Sequence, residues 1–281
     1  MKTLVFGLGF LGERLLRAIP DAMLSEADIT DAGAVRAAIA AVEPDVVINA
    51  AGKTGRPNVD WCEANTEPTW RSNVLGPLVL SEACADLGTY LLHIGSGCVF
   101  YGASPHPGGW REDDSANPIS YYSRTKYAAD ILLSARPNVA VARIRMPIDT
   151  APHPRNLITK LAAYAKVVDV ENSVTVVDDL VKALAALAER RATGVFHVTN
   201  PGTLRHRDLL AAYTRIVDPA HRTTLIAEDE LVTLGLAVKT RSNCVLADTR
   251  LAALGIHLRP IDEALEDCLV QYARHRAGES A

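Results

Sequence analysis

Ser96-Gly97-Cys98, followed downstream by Tyr122-Ser123-Arg124-Thr125-Lys126, brings a hydroxyl, a thiol, a phenol and an amine into one stretch of chain. The hydroxyl, phenol and amine form a complete set for reducing a carbonyl by hydride transfer. Tyr122 and Lys126 are four residues apart, so on a helix they share one face. A free phenol titrates at about 10, and a nearby ammonium favours the phenolate, which is expected to draw Tyr122 toward working pH. The phenol then protonates a carbonyl oxygen that Ser96, at a strand end, also holds. Tyr and Lys at this spacing are common on solvated faces, so the pair gains weight only from the hydroxyl that precedes it.

Reduction needs no thiol. A strand-end cysteine most often packs as a small hydrophobe, but Cys98 beside Ser96 would face the same carbonyl. Hydrogens on carbons flanking a ketone are acidic because the carbanion delocalises as an enolate. Inverting such a centre takes a base on one face and an acid on the other, and a thiol with a free pKa of about 8.5 serves either role. In Arg155–Leu161, residues Leu157, Ile158, Leu161 and Ala165 form one helical stripe. Asn156, Lys160 and Tyr164 form another, so Lys160 is the candidate partner of Cys98. The pattern fits a solvated lysine equally well, and Lys166 is the nearest rival.

These groups need a hydride source. Gly7-Leu8-Gly9-Phe10-Leu11-Gly12 follows a first strand and opens a helix, the setting in which glycines let backbone N–H groups approach a pyrophosphate. Gly7, Gly9, Phe10, Leu11 and Gly12 are therefore candidate cofactor contacts. Asp28-Ile29, near the end of the second strand, would border an adenine or its ribose, and Ala50-Ala51-Gly52 permits close approach after the third. Glu26 or Asp28 suits a ribose 2′-OH, and no basic residue ends the second strand to hold a 2′-phosphate. The choice between NAD and NADP stays open on these residues.

The positioning elements read as alternating strands and helices. Leu4–Phe6, Val46–Asn49, Tyr90–Ile94 and Val139–Ile144 are apolar runs suited to buried parallel strands. Ala34–Val42 and Val74–Leu87 show helical spacing. The alternation predicts an α/β fold, a Rossmann-like doubly wound parallel sheet with ligands at the carboxyl ends of its strands. After Arg145 the pattern loosens into short strands (Val174–Val177, Val195–Val198) and helices around Asp178–Arg190, His206–Val217 and Ile261–Tyr272. Residues 1–145, with 174–198 returning, are expected to form the cofactor-binding domain, and 146–281 mainly a smaller α/β substrate-binding lobe.

Composition agrees with a soluble enzyme: of 281 residues, 48% are hydrophobic and 22% charged, with a net charge of −4. No basic footprint points to nucleic acid, no apolar run reaches a membrane span, and Met1-Lys2-Thr3 leads directly into a strand instead of a leader. Five scattered cysteines without CxxC spacing point to a reduced, cytoplasmic protein with no metal site.

The sequence resembles the plant and viral bifunctional 3,5-epimerase/4-reductases of nucleotide-linked rhamnose synthesis, in the extended short-chain dehydrogenase superfamily. The resemblance rests on Asn49-Ala50-Ala51-Gly52, Thr54 through Glu63 (TGRPNVDWCE), Gly97-Cys98-Val99-Phe100, Tyr122–Lys126, Arg143–Ile148 and Pro154–Lys160. Asn172–Val176, Thr199–Gly202 and Arg241-Ser242-Asn243 add to it, so that it spans almost the whole chain. It implies that Cys98 and Lys160 are the epimerase acid/base pair and that Tyr122 and Lys126 serve reduction, with Ser96 in the place of a threonine. GDP-fucose synthase is similar in design, with a cysteine likewise two residues past its serine. The implied cofactor is NADPH, and the implied partner a dTDP- or UDP-linked 4-keto-6-deoxy sugar. Arg56, Asn58 and Asn73 are expected as ligand or scaffold contacts, Asn156 at the substrate, and Arg241 at its diphosphate or else as a surface charge; a homodimer is the assembly to test for. Two departures stand out: the glycine loop is one residue shorter than the family's GxxGxxG, and Tyr101–Asp114 diverges. The rival readings are a simple 4-ketoreductase in which Cys98 only packs, and a non-catalytic NADP-binding subunit. The intact hydroxyl, tyrosine and lysine speak against the latter.

Overall fold

A computed structural model describes residues 1–56 and 58–278. Six strands form one parallel sheet: β1 (Thr3–Phe6), β2 (Met23–Ser25), β3 (Val46–Asn49), β4 (Tyr90–Ser96), β5 (Val139–Ile144) and, later in the chain, β8 (Gly194–His197). Their order, β2-β1-β3-β4-β5-β8, reverses direction between β1 and β3. The crevice at that switch point lies outside the carboxyl ends of both strands, where the glycine loop follows β1 and Asn49–Gly52 ends β3. The four residues of β1 and of β3 are all buried, because helices cover both faces of a parallel sheet.

One face packs against helices Phe10–Ala18 and Val177–Glu189, whose Leu15, Leu180, Leu184 and Leu187 are at most 1% exposed. Burial of each such side chain contributes roughly 1.5–3 kcal/mol. The other face meets helices Ala32–Val42, Gly76–Asp86 and Tyr121–Ser134 through Val35, Ile39, Leu80, Ala129 and Leu133. Side-chain caps set the helix starts: Asp31 accepts from Ala34 N at 3.0 Å, and Ser120 accepts from Ser123 N at 3.2 Å.

A second core, containing Ile148, Ile158, Leu161, Leu209, Tyr213, Leu265 and Leu269, joins helices Leu157–Ala163, His206–Ile216 and Ile261–Ala277. It carries two small sheets. β6 (Lys166–Val168) pairs in parallel with β10 (Thr224–Ile226), and β7 (Glu171–Val174) pairs antiparallel with β9 (Asn200–Arg205). The strand expected over Val174–Val177 is displaced: β7 ends at Val174, Val176 makes an isolated bridge with Ile148, and Val177 opens a helix. Asn200 Oδ1 takes the Val176 N–H at 2.7 Å, and Asp178 and Asp179 follow in the first turn, a helix start that overrides the β-branched run. No helix among the described residues is long and apolar enough to cross a membrane.

Candidate active site

The glycine loop is built as its chemistry requires. Gly7 has φ +99, and a Cβ there would meet Ala51 N at 2.4 Å. A Cβ on Gly12 would meet the Gly7 carbonyl oxygen at 1.8 Å, so β1 and its helix close up only because both are glycine. Beside this turn opens a cavity of about 660 Å³ lined by Gly7, Gly9, Glu26, Asp28, Ile29, Ala50, Ala51 and Gly52. Its size and its ring of small residues and backbone fit the adenosine half of a dinucleotide. Phe10, Leu11 and Gly12 lie beside it: Phe10 stacks on His153 at 4.8 Å, Leu11 packs toward the core, and Gly12 is buried under Gly7. Leu8, Lys53 and Arg71 also line the cavity, and sequence reasoning did not single them out. Arg71 opens a π-helical turn, Arg71–Leu75, which leaves no periodic signature in sequence. Thr30 hydrogen bonds, chiefly, and the charges of Arg71 and Lys53 hold the Asp28 carboxyl below its usual range.

Ser96 ends β4 and accepts the Cys98 N–H at 3.2 Å, fixing the 3-10 turn Gly97–Val99 that presents the thiol. All five cysteines are free; Cys98 is half-exposed, whereas Cys62, Cys84, Cys244 and Cys268 are buried. Arg145 Nη1 lies 2.7 Å from Cys98 Sγ. That guanidinium is 1% exposed and is otherwise held by Asn172 Oδ1 and the Ser242 carbonyl. Arg145 is a site residue that sequence reasoning did not assign; its place in the resembling Arg143–Ile148 run was the available signal.

Tyr122 and Lys126 face the same region from helix Tyr121–Ser134, both nearly buried. The expected lowering of the Tyr122 phenol by Lys126 is not what the structure shows. Burial pushes the phenol up, with Cys98 adding to the effect and a hydrogen bond with Ser96 opposing it. The phenol is thus held protonated, the form a reduction needs. The amine of Lys126 turns inward, donating to the Ile94 carbonyl at 2.8 Å and meeting His93 Nε2 at 3.0 Å. Burial lowers it to about 8.

Lys160 lies in the last turn of helix Leu157–Ala163, half-buried, and burial, then Arg155 and Arg241, lower its amine. Lys166 is exposed on β6. Asn156, expected at the substrate, instead has its side chain consumed internally. It caps the helix through Ile158 N at 3.1 Å and donates to the carbonyls of Asp149 and Ala151 at 2.7 and 2.9 Å. Asn73 is likewise scaffold, fully buried and binding Lys53 N, Lys53 O and Thr125 Oγ1. Asn58 accepts from Asp60 N in a turn, and Arg56 is exposed beside it. Arg241 forms a two-pronged pair with Asp60 at 2.6 and 2.7 Å, and Lys239 pairs with Glu63 at 2.6 Å, so residues 239–241 are stapled over the Asp60–Glu63 turn.

The profile of the RmlD substrate binding domain matches residues 1–274. The bifunctional dTDP-4-dehydrorhamnose 3,5-epimerase/dTDP-4-dehydrorhamnose reductase of Arabidopsis thaliana is 40% identical over 84% of this chain and 80% of its own length. A trifunctional UDP-glucose 4,6-dehydratase/UDP-4-keto-6-deoxy-D-glucose 3,5-epimerase/UDP-4-keto-L-rhamnose-reductase of the same plant is 34% identical over 94% of this chain, which spans 41% of that longer protein. The crystal structure of a UDP-rhamnose synthase from Acanthamoeba polyphaga mimivirus superposes with a TM-score of 0.90 at 27% identity, covering 96% of this chain and 99% of that one. The match of the family's profile to residues 1–274 places the chain in the RmlD substrate binding domain family.

Proposed function

We propose that this protein epimerises carbons 3 and 5 and reduces the 4-keto group of a dTDP- or UDP-linked 4-keto-6-deoxyglucose, using NADPH. The product is a nucleotide 6-deoxy-L-hexose such as L-rhamnose. The observation that carries the reading is the half-exposed Cys98 thiol on the turn that Ser96 anchors, beside the buried Tyr122 phenol. A reductase alone has no use for a thiol there. The 40% identical bifunctional relative supports both activities.

Cys98 and Lys160 act as the acid/base pair. One takes the proton from the carbon flanking the ketone, the enolate carries the charge, and the other returns a proton to the opposite face. Burial, then Arg155 and Arg241, lower the amine of Lys160 from its ordinary value and so ease the release of its proton. For the reduction, Ser96 holds the carbonyl oxygen and Tyr122 gives it the phenolic proton. Bound NADPH supplies the hydride for carbon 4. Gly7, Gly9, Asp28, Ile29 and Ala50–Gly52 would hold the cofactor, with Lys53 and Arg71 as the cations available to its phosphates. Residues 1–145 with 174–198 serve the cofactor and 146–281 mainly the sugar. The same reading places the enzyme in the cytoplasm as a homodimer, and the five free thiols support a reducing compartment.

The test is mass spectrometry of dTDP- and UDP-4-keto-6-deoxyglucose incubated with enzyme in heavy water without nicotinamide. Uptake of two deuterons, lost in Cys98→Ser and Lys160→Met by about 10²–10⁴-fold while reduction of an already epimerised substrate persists, is expected. No uptake beyond the enzyme-free control would leave a simple 4-ketoreductase.

A further inference from the structure

Behind Lys126, β4 carries a histidine inside a strand buried on both faces. His93 is 0% exposed, with Nε2 3.0 Å from Lys126 Nζ and Nδ1 3.0 Å from Asn49 Nδ2. The proton positions follow from the ends of this row. Ala51 N–H donates to Asn49 Oδ1 at 3.0 Å, which orients the amide so that its NH2 faces His93. His93 Nδ1 is therefore an acceptor. Burial, then Lys126, hold the imidazole well below its ordinary range, so it is neutral and carries its proton on Nε2. That N–H points at Lys126 Nζ, which in turn donates to the Ile94 carbonyl.

We infer that Asn49 and His93 are positioning residues for the reduction: they form a one-way hydrogen-bond row from the cofactor loop to Lys126, ending in a donor that the lysine accepts only as a neutral amine. The direction is Ala51 to Asn49 to His93 to Lys126 to Ile94. Protonating Lys126 removes its lone pair and sets an ammonium against an N–H. The other imidazole tautomer brings no relief, because a proton on Nδ1 meets the Asn49 NH2 that Ala51 holds in place.

The other groups around Lys126 do not do this. Asp130, one turn along the same helix, favours the ammonium, but it is paired with Arg143 of β5 at 2.7 Å. Tyr122, one turn back, is a protonated phenol, and Thr125 binds Asn73 and the Tyr122 carbonyl. From β4 come His93 and the Ile94 carbonyl, and from β3 comes Asn49. The row works with burial and against Asp130, keeping Lys126 able to release and regain a proton near neutral pH while Tyr122 gives its own to the substrate. Because the row starts at Ala51, which lines the cofactor cavity, a shift of that loop reaches the lysine through three hydrogen bonds.

The inference rests on the reading of Lys126 as a reduction residue, so its test reads the lysine directly. The Lys126 side-chain resonance of ¹³C,¹⁵N-lysine-labelled protein, assigned by its absence in Lys126→Met, is titrated without cofactor or substrate. His93→Leu, apolar and of similar size, removes the donor and is expected to raise the midpoint by about one pH unit. Asn49→Asp keeps an oxygen for Ala51 but accepts from Nδ1–H, turning Nε2 into an acceptor, and is expected to raise it at least as far. Should the leucine variant fail to fold, the aspartate variant carries the test. The basic limb of the kcat profile for reduction moves with the midpoint, whereas a purely structural role lowers kcat without moving it. A midpoint that stays in place or falls in folded Asn49→Asp overturns the inference. A midpoint that rises while the wild type reduces neither nucleotide sugar supports the row and refutes the proposed substrate.

Discussion

The tie between helix Tyr121–Ser134 and the sheet makes an asymmetric prediction. Arg143 on β5 binds Asp130 on helix Tyr121–Ser134 at 2.7 Å, with side chains 3% and 0% exposed. Removing one member of such a pair strands a buried charge and costs about 3–5 kcal/mol, whereas removing both is often close to neutral. The two members do not escape equally. Burial already raises the Asp130 carboxyl against the charges of Arg143 and Lys126, and one of its oxygens has no partner, so losing Arg143 raises it further and eases its protonation. Arg143 cannot shed its charge and keeps only Glu112 O at 3.3 Å, His197 Nε2 at 3.2 Å and the Phe100 ring at 5.3 Å. Asp130→Leu is therefore expected to cost about 4 kcal/mol at pH 7, and Arg143→Leu about 2. At about 2–4 °C per kcal/mol, the first lowers Tm by roughly 10 °C. The Arg143→Leu deficit shrinks between pH 7 and 5, because protonation of the stranded carboxyl relieves it as pH falls; the Asp130→Leu deficit does not. The double variant returns to within about 1 kcal/mol of wild type. Urea unfolding of the four proteins at pH 7 and 5 measures all of this. Equal single-variant costs with the same pH dependence, or a double variant no better than the worse single one, would refute the reasoning.

Four further outcomes follow from the geometry. Burial, then Arg143, lower His197 from 6.5 to about 3, so the unfolded chain takes up this proton first. Stability is thus complete above about 6.5 and falls as pH drops toward 3, by up to about 1.4 kcal/mol per unit, and acid titration by circular dichroism of His197→Gln shows a shallower loss. Lys126, lowered to about 8, destabilises the fold below that pH and ceases to do so between 8 and 10.5. Lys126→Met is then more stable by about 2–3 kcal/mol at pH 7 in thermal melts, while reduction falls about 10²–10⁴-fold. Gly12→Ala places a methyl 1.8 Å from the Gly7 oxygen and weakens NADPH binding by tenfold or more, about 1.4 kcal/mol, in fluorescence titration. Asn156→Ala loses a helix cap and two buried hydrogen bonds, costing about 2–3 kcal/mol in denaturant unfolding.

What the sequence revealed tracks where a local pattern has one cause. β3 and β5 begin and end where their apolar runs do, since both faces of a central parallel strand are buried. The helix expected from Val74 begins as an α-helix only at Gly76, because the π-helical turn before it changes the hydrogen-bond register without changing the residue types. The pairs β6–β10 and β7–β9 escaped notice because neither strand names its distant partner. The site divides in the same way. Ser96 with Cys98, and Tyr122 with Lys126, are spaced along single elements and could be read; Arg145 and His93 reach Cys98 and Lys126 from other elements and could not. Yet both left a trace. His93 interrupts Tyr90–Ser96, and Arg145 follows Val139–Ile144, runs that layers of helix bury on both sides. A histidine or arginine there must find a polar partner or leave a costly buried group unsatisfied. For His93 and Arg145 the groups at hand are Lys126 on the adjoining helix and Cys98 just past the end of β4. A polar residue in or just after such a strand is therefore worth following to its partner: His93 leads to Lys126 and Arg145 to Cys98, whereas Arg143 leads to the buried Asp130.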